Sequence, residues 1–237
     1  MAKNYYRKKL NEVTIKGYKS IAYNTPVTLE LGDVNILFGA NGAGKSNIIS
    51  FFRMLSYMMS KSFGVYVEKS GTANSLLHYG PKITPSISGL LKFSDDKSID
   101  SYQFSLSNAA PDRLIITEEN IKWHRKTENK PYQVLLEPNF KESALSDSKD
   151  TVARSIYWML AYCKVYQFHD SSNEGPLRQA CPVETANYLQ SHGNNLPSFL
   201  LFLRENYKES YNRIVDYVRD VIPQFQDFYL EPVNNFI

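Results

Sequence analysis

Along the first forty residues, apolar positions alternate with polar ones. Val13 and Ile15 alternate with Thr14 and Lys16, and Val27, Leu29 and Leu31 with Thr28 and Glu30. A period of two is the signature of a half-buried strand. Gly32 and Asp33 then mark a turn. Residues 34–38 (Val-Asn-Ile-Leu-Phe) form a mostly apolar run of strand length, which predicts a strand buried on both faces. A glycine-rich stretch, 39–44, follows. Beyond it Ile48, Phe51, Phe52, Leu55, Met58 and Met59 recur at three and four residues, the spacing of an amphipathic helix. Residues 33–60 thus read as strand, loop, helix.

The pattern weakens from 64 to 85, where Gly64, Gly71, Gly80, Pro81 and Pro85 predict a long loop or short elements. Strand signals then return at 87–93, 101–106, 113–117, 121–124 and 132–136. Tyr102, Phe104 and Leu106 share one face of the second of these, and polar turn clusters separate several of them. This predicts an antiparallel meander with one dry face and one wet face. The last third switches to helical spacing. Val152, Ile156, Met159, Leu160 and Cys163 make one apolar stripe. Phe199, Leu200, Leu203 and Tyr207 make a second, with Asn195 as candidate cap and Pro197 in the first turn. Tyr211, Ile214, Val215, Val218 and Ile222 make a third, ended by Pro223. Residues 165–168 are a short strand candidate, and the Ser/Asp/Lys-rich stretch 141–150 is the best linker candidate.

Composition removes several classes. The 237 residues are 43% hydrophobic and 22% charged, with 17 Tyr and 13 Phe, enough buriable surface to exclude disorder as the dominant state. Two cysteines, Cys163 and Cys181, exclude a disulfide scaffold and suit a reducing cytosol. No apolar run approaches the roughly 18 residues of a membrane span, and the basic N-terminus leads into no apolar stretch of the signal-peptide kind. The expected location is therefore cytoplasmic, with no membrane partner. A net charge of +3 is too small to argue for nucleic acid by itself. The cluster Lys3, Arg7, Lys8 and Lys9 reads as a solvated end. His78, His124, His169 and His192 are too scattered for a metal site.

One motif carries chemistry. Gly39-Ala-Asn-Gly-Ala-Gly-Lys-Ser46 matches G-x-x-x-x-G-K-[ST]. Glycines let the backbone curl so that successive N–H groups converge on phosphate oxygens. Lys45 brings a positive charge to the β and γ phosphates, and Ser46 offers a hydroxyl to magnesium. The helix that starts there turns its positive end toward the same anion. The expected ligands are ATP and Mg2+.

The surroundings choose among the nucleotide-binding classes. Asn41-Gly-Ala-Gly-Lys-Ser-Asn47 resembles the N-G-x-G-K-S-N of the RecF and SMC (structural maintenance of chromosomes) branch of ABC-type ATPases. Residues 13–21, Val-Thr-Ile-Lys-Gly-Tyr-Lys-Ser-Ile, look like that branch's opening strand and turn. Leu76-Leu-His-Tyr-Gly80 with Lys82 and Thr84, Phe168-His-Asp-Ser-Ser172 and Gly193-Asn-Asn-Leu196 are similar to predicted bacterial AAA-type ATPases of that branch, some of them in anti-phage systems. The resemblance implies an α/β P-loop NTPase of ABC-head type. Residues 1–62 would form the N-terminal part of the P-loop core, 63–140 an antiparallel β subdomain, and 141–237 a helical lobe with a return strand. It implies nucleotide contacts from Lys19, Ser20, Gly39, Asn41, Gly42, Ala43, Gly44, Lys45, Ser46 and Asn47. Ser46 and Gln167 would hold the metal. Lys45, with Gln167 and His169 on one face of the return strand, would serve catalysis, and either polar residue of that strand could face the phosphates.

The chain has no apolar strand ending in Asp-Glu, the Walker B pattern, and no LSGGQ-like signature. In the resembled family both lie further C-terminal, so the expectation is the N-terminal part of a head, cut before Walker B. The expected function is an ATP-driven switch in DNA maintenance or anti-phage defence, an ATPase in its complete form. The expected partners are a second head, with DNA or a defence effector protein. Two alternatives stand beside it: a nucleotide sensor without turnover and an ABC transporter motor.

Overall fold

The computed structural model describes residues 8–237 apart from Asn129, His169, Asp170, Ser171, Asn173 and Ala186. The chain divides into two compact units, one ending at Lys164 and one starting at Val165. The expected segments 1–62 and 63–140 therefore lie in one unit, and the segment 141–237 is shared between the two.

The first unit is built on one antiparallel sheet of six strands. These are β1 (Lys9–Lys16), β2 (Val27–Glu30), β3 (Ser86–Ser94), β4 (Ser98–Ala109), β5 (Arg113–Arg125) and β6 (Tyr132–Leu136), in the order β2-β1-β3-β4-β5-β6. Alternation along the strands, shifted once within β5, puts Val13, Ile15, Ile87, Leu91, Tyr102, Phe104, Leu106, Ile116 and Ile121 on a fully buried face. Against that face pack α1 (Lys45–Met59), α2 (Phe63–Lys69), α3 (Thr72–Leu76) and α4 (Thr151–Ala161). Helix α1 buries Phe51, Met54, Leu55, Met58 and Met59, the stripe its sequence spacing predicts. Asp150 caps α4 by accepting from the Val152 and Ala153 N–H groups.

The second unit holds α5 (Leu196–Asn206) and α6 (Lys208–Val221) around Leu200, Leu201, Tyr211, Val215 and Leu230. Asn195 sits at the expected N-cap position of α5 and Pro197 in its first turn, but the Asn195 side chain makes no cap bond. It donates to the carbonyls of Thr185 and Tyr188 and accepts from the Gln190 N–H, so it organises the preceding loop instead.

Several expectations need correction. Residues 34–38 form no strand. Ile36 is 85% exposed and Phe38 98% exposed. Such a run is buried only between paired neighbours with helices on both faces. Among the described residues it pairs with neither sheet edge. The stretch 165–168 also forms no strand, although the Gln167 N–H donates to the Ser191 carbonyl at 2.7 Å. The two strands expected at 113–117 and 121–124 are one strand, β5, with a register shift opposite Ser105 and Leu106. The region 64–85 contains α2 and α3. Finally, 141–150 is no linker: Ser143 and Leu145 in it are buried.

The last correction has a specific cause. Glu119, on β5, is fully buried. Its carboxylate accepts from the Tyr102 hydroxyl, from the Ser143 hydroxyl at 2.5 Å and from the Ala144 N–H at 2.7 Å. Burial, with the Glu119 carboxylate beside it, pushes the Tyr102 phenol well above its usual range. One buried carboxylate thus holds the polar segment down on the sheet. Glu119→Ala should strand these donors and lower stability by at least about 3 kcal/mol, since each buried orphan costs about 1–3 kcal/mol. Urea denaturation measures the loss, and Glu119→Gln, which keeps an acceptor, should lose less.

Candidate phosphate-binding site

The site begins where β1 ends. After Lys16 the chain turns sharply through Gly17 and Tyr18, and Lys19 adopts a left-handed φ of 50°. A lysine gains nothing from that conformation, so the surroundings must impose it. The Lys19 N–H donates to the Leu76 carbonyl at 2.8 Å, and its own carbonyl accepts from His78 Nδ1 at 2.7 Å. The His78 N–H donates to the Gly17 carbonyl at 3.1 Å. The turn after β1 is therefore clamped by the segment after α3.

The same turn is tied to α1. The buried Tyr18 hydroxyl lies 2.7 Å from the Tyr66 hydroxyl and 3.0 Å from Ser50 Oγ. Lys19 Nζ donates to Ser50 Oγ at 3.1 Å, and Asn47 Nδ2 donates to Ser20 Oγ at 2.6 Å. Burial, and then the Arg53 guanidinium, lower the Lys19 pKa from its usual value. Burial is also the main reason that the Tyr18 phenol is raised far above the ordinary range.

The glycine-rich loop meets this arrangement at Gly44. Gly44 precedes the first residue of α1 with φ 92°, a conformation that disfavours any side chain. A Cβ there would also lie 3.3 Å from Ser20 Oγ. Loop residues 39–43 are exposed, and a backbone bond from the Ala43 N–H to the Ala40 carbonyl closes a turn within them. Lys45 Nζ folds back over the loop and donates to the carbonyls of Gly39 at 2.6 Å and Ala40 at 2.7 Å. Ser46 is exposed on the first turn of α1. Its hydroxyl suits the oxygen ligation that magnesium prefers.

The structure thus brings together Lys19, Ser20, Gly44, Lys45, Ser46 and Asn47, with Gly39, Asn41, Gly42 and Ala43 in the adjoining loop. Gln167 belongs to the second unit, and His169 lies outside the described residues. Among the described residues no group of three His, Cys, Asp or Glu is placed to hold a metal. Reasoning from the motif misses the Tyr18–Ser50–Tyr66 cluster and the His78 clamp. Ser50, one helical turn beyond Ser46, is the signal that could have found the first. The second unexplained feature is a crevice of about 440 Å3 bordered by Lys8, Asp100, Trp123, Arg154 and Trp158, which includes none of the loop residues. There burial raises the Asp100 carboxyl, and the Lys8 ammonium at 2.5 Å opposes the shift.

A glycine-rich loop closed by its own lysine at the start of a helix is the arrangement of the P-loop NTPase class. The chain belongs to the AAA domain family, whose model matches residues 12–227. It is accordingly a nucleotide-binding, ATPase-like domain, and the family generally uses Mg2+ with its nucleotide. No curated protein matches the sequence. Among the described residues no helix is long and apolar enough to cross a membrane.

The Tyr18 cluster generates a paired prediction. Tyr18→Phe removes one hydroxyl whose neighbours keep other bonds, so it should cost about 1 kcal/mol. Tyr18→Ala also empties a fully buried ring site and should cost about 3–5 kcal/mol. Thermal and urea unfolding of both variants check whether packing outweighs the hydroxyl network.

Proposed function

We propose that this chain binds ATP with magnesium at residues 39–47 and is the nucleotide-binding part of a RecF/SMC-like, ABC-type switch. The observation that carries the reading is the geometry at Gly44, where the loop, the start of α1 and the turn after β1 converge. In this reading the backbone N–H groups of Gly39, Asn41, Gly42 and Gly44 surround phosphate oxygens, and the Ala43 N–H joins them on leaving the Ala40 carbonyl. Lys45 exchanges its two loop carbonyls for the β and γ phosphates. Ser46 supplies a hydroxyl to the metal, which would neutralise phosphate charge. Asn47 fixes Ser20 at the edge of the site. Lys19 carries a second positive charge, and an anion beside it would offset the burial that now disfavours its ammonium form.

Gln167 and His169 are proposed to serve catalysis, Gln167 as a ligand of the metal. The biological role proposed for the complete switch is DNA maintenance or anti-phage defence, with a second head as its partner and DNA or an effector protein beside it. Phosphoryl transfer depends almost wholly on positioning and electrostatics. The sequence has no Asp-Glu pair after an apolar strand. The reading therefore expects this chain to bind ATP without appreciable turnover and to remain monomeric when it does.

Lys45→Ala should remove a charge-assisted contact of about 1.5–3 kcal/mol, roughly ten- to a hundred-fold in Mg-ATP affinity. Calorimetric titration reads it, and equal affinities would remove Lys45 from the site. Light scattering and a phosphate-release assay test the second expectation. Rapid phosphate release abolished by Lys45→Ala, or an ATP-induced dimer, would reverse it.

A further inference from the structure

Tyr79 occupies a position that folding alone does not explain. Its side chain is 82% exposed, so its ring contributes little burial. Its φ is +54°, a region that bulky residues rarely enter. Both neighbours hold it there. The Gly80 N–H donates to the Leu77 carbonyl at 3.0 Å, and His78 is anchored to Gly17 and Lys19. The Tyr79 ring meets the His78 imidazole edge-on, with centroids 4.3 Å apart. Strained, exposed and fixed groups of this kind collect where ligands bind.

What lies beside the ring identifies the ligand. Tyr79 and His78 form one wall of a crevice of about 390 Å3, whose other borders include Ser20, Thr25, Ala43 and Gly44. The crevice therefore runs from the phosphate-binding loop itself to an aromatic face. Among the described residues no Lys, Arg, Asp or Glu lines it. The rest of its wall is apolar, from Ile21, Val27 and Ile48. A charged extension of the ligand would find no counter-charge there, whereas a flat, neutral group with hydrogen-bonding edges suits a ring set between apolar side chains and the Ser20 and Thr25 hydroxyls. We infer that this crevice receives the base of the nucleotide, with the Tyr79 ring as its stacking platform. The inference rests on the phosphate-binding reading of residues 39–47 and extends it to the base.

Titration calorimetry of the whole chain tests it with two ligands, Mg-ATP and inorganic tripolyphosphate. Stacking on one aromatic ring is sequence-tolerant and strong enough that its loss should weaken ATP about tenfold. Tyr79→Ala should show that loss for ATP and none for tripolyphosphate, while Tyr79→Phe keeps wild-type affinity for both. Lys45→Ala should weaken both ligands. Because Tyr79 is exposed, the variants should melt like the wild type. Unchanged ATP affinity in Tyr79→Ala, with both ligands still sensitive to Lys45→Ala, would overturn the base site and leave the phosphate site standing. An equal loss for ATP and tripolyphosphate would assign Tyr79 to the shape of the loop and overturn the inference. If neither ligand binds the wild type, both readings fall together.

Discussion

The first unit depends on how closely α1 approaches the sheet. That approach is set at Gly89, in the middle of β3. A Cβ there would lie 2.5 Å from the Phe104 ring and 3.0 Å from the Phe51 ring. Its absence lets the two rings stack at 6.1 Å with 19° between their planes, one from β4 and one from α1. Phe51 also meets Tyr18 edge-on at 5.6 Å. A single ring cluster thereby fixes the helix, the sheet and the turn after β1 relative to one another. The glycine-rich loop inherits its position from the helix end of this cluster. Its other end, residues 34–38, has no paired strand to hold it.

That one-sided support explains the density of polar ties on the α1 side. Asn47 reaches back to Ser20, Lys19 and Tyr18 converge on Ser50, and His78 braces the turn from behind. Each bond spans elements distant in sequence, so the turn carries little freedom of its own. The electrostatics follow the same plan. Lys45 sits at the positive end of α1, and Lys19 is half-buried near Arg53. At Lys19 burial makes the positive charge costly, and an anion placed beside it would relieve that cost.

The sheet and α1 were legible because their signals are local and periodic. Alternation in 101–106 and the stripe Phe51, Leu55, Met58 reflect burial on one face, and neighbours elsewhere did not need to be known. Residues 34–38 misled for the converse reason. A doubly buried strand is defined by its partners, and an apolar run says nothing of whether they are beside it. The polar stretch 141–150 misleads because its burial depends on Glu119, which lies on β5, 24 residues before Ser143. At the site the loop was legible from spacing alone. Lys19 and Ser20 came from likeness to a family motif, and the structure sets Ser20 against Gly44. Tyr18, Ser50 and His78 were not legible, since their roles arise from hydrogen bonds that no short pattern encodes.

Lys45 also braces the loop that it belongs to. Its ammonium is held by the carbonyls of Gly39 and Ala40, so the group that would meet the phosphate also keeps the loop curled beforehand. An arriving anion competes with those two carbonyls rather than with water alone. The exchange is nearly even in hydrogen bonds and favourable in charge, and it lets the loop keep its curvature as the lysine changes partners. Pre-shaping of this kind lowers the ordering cost of binding.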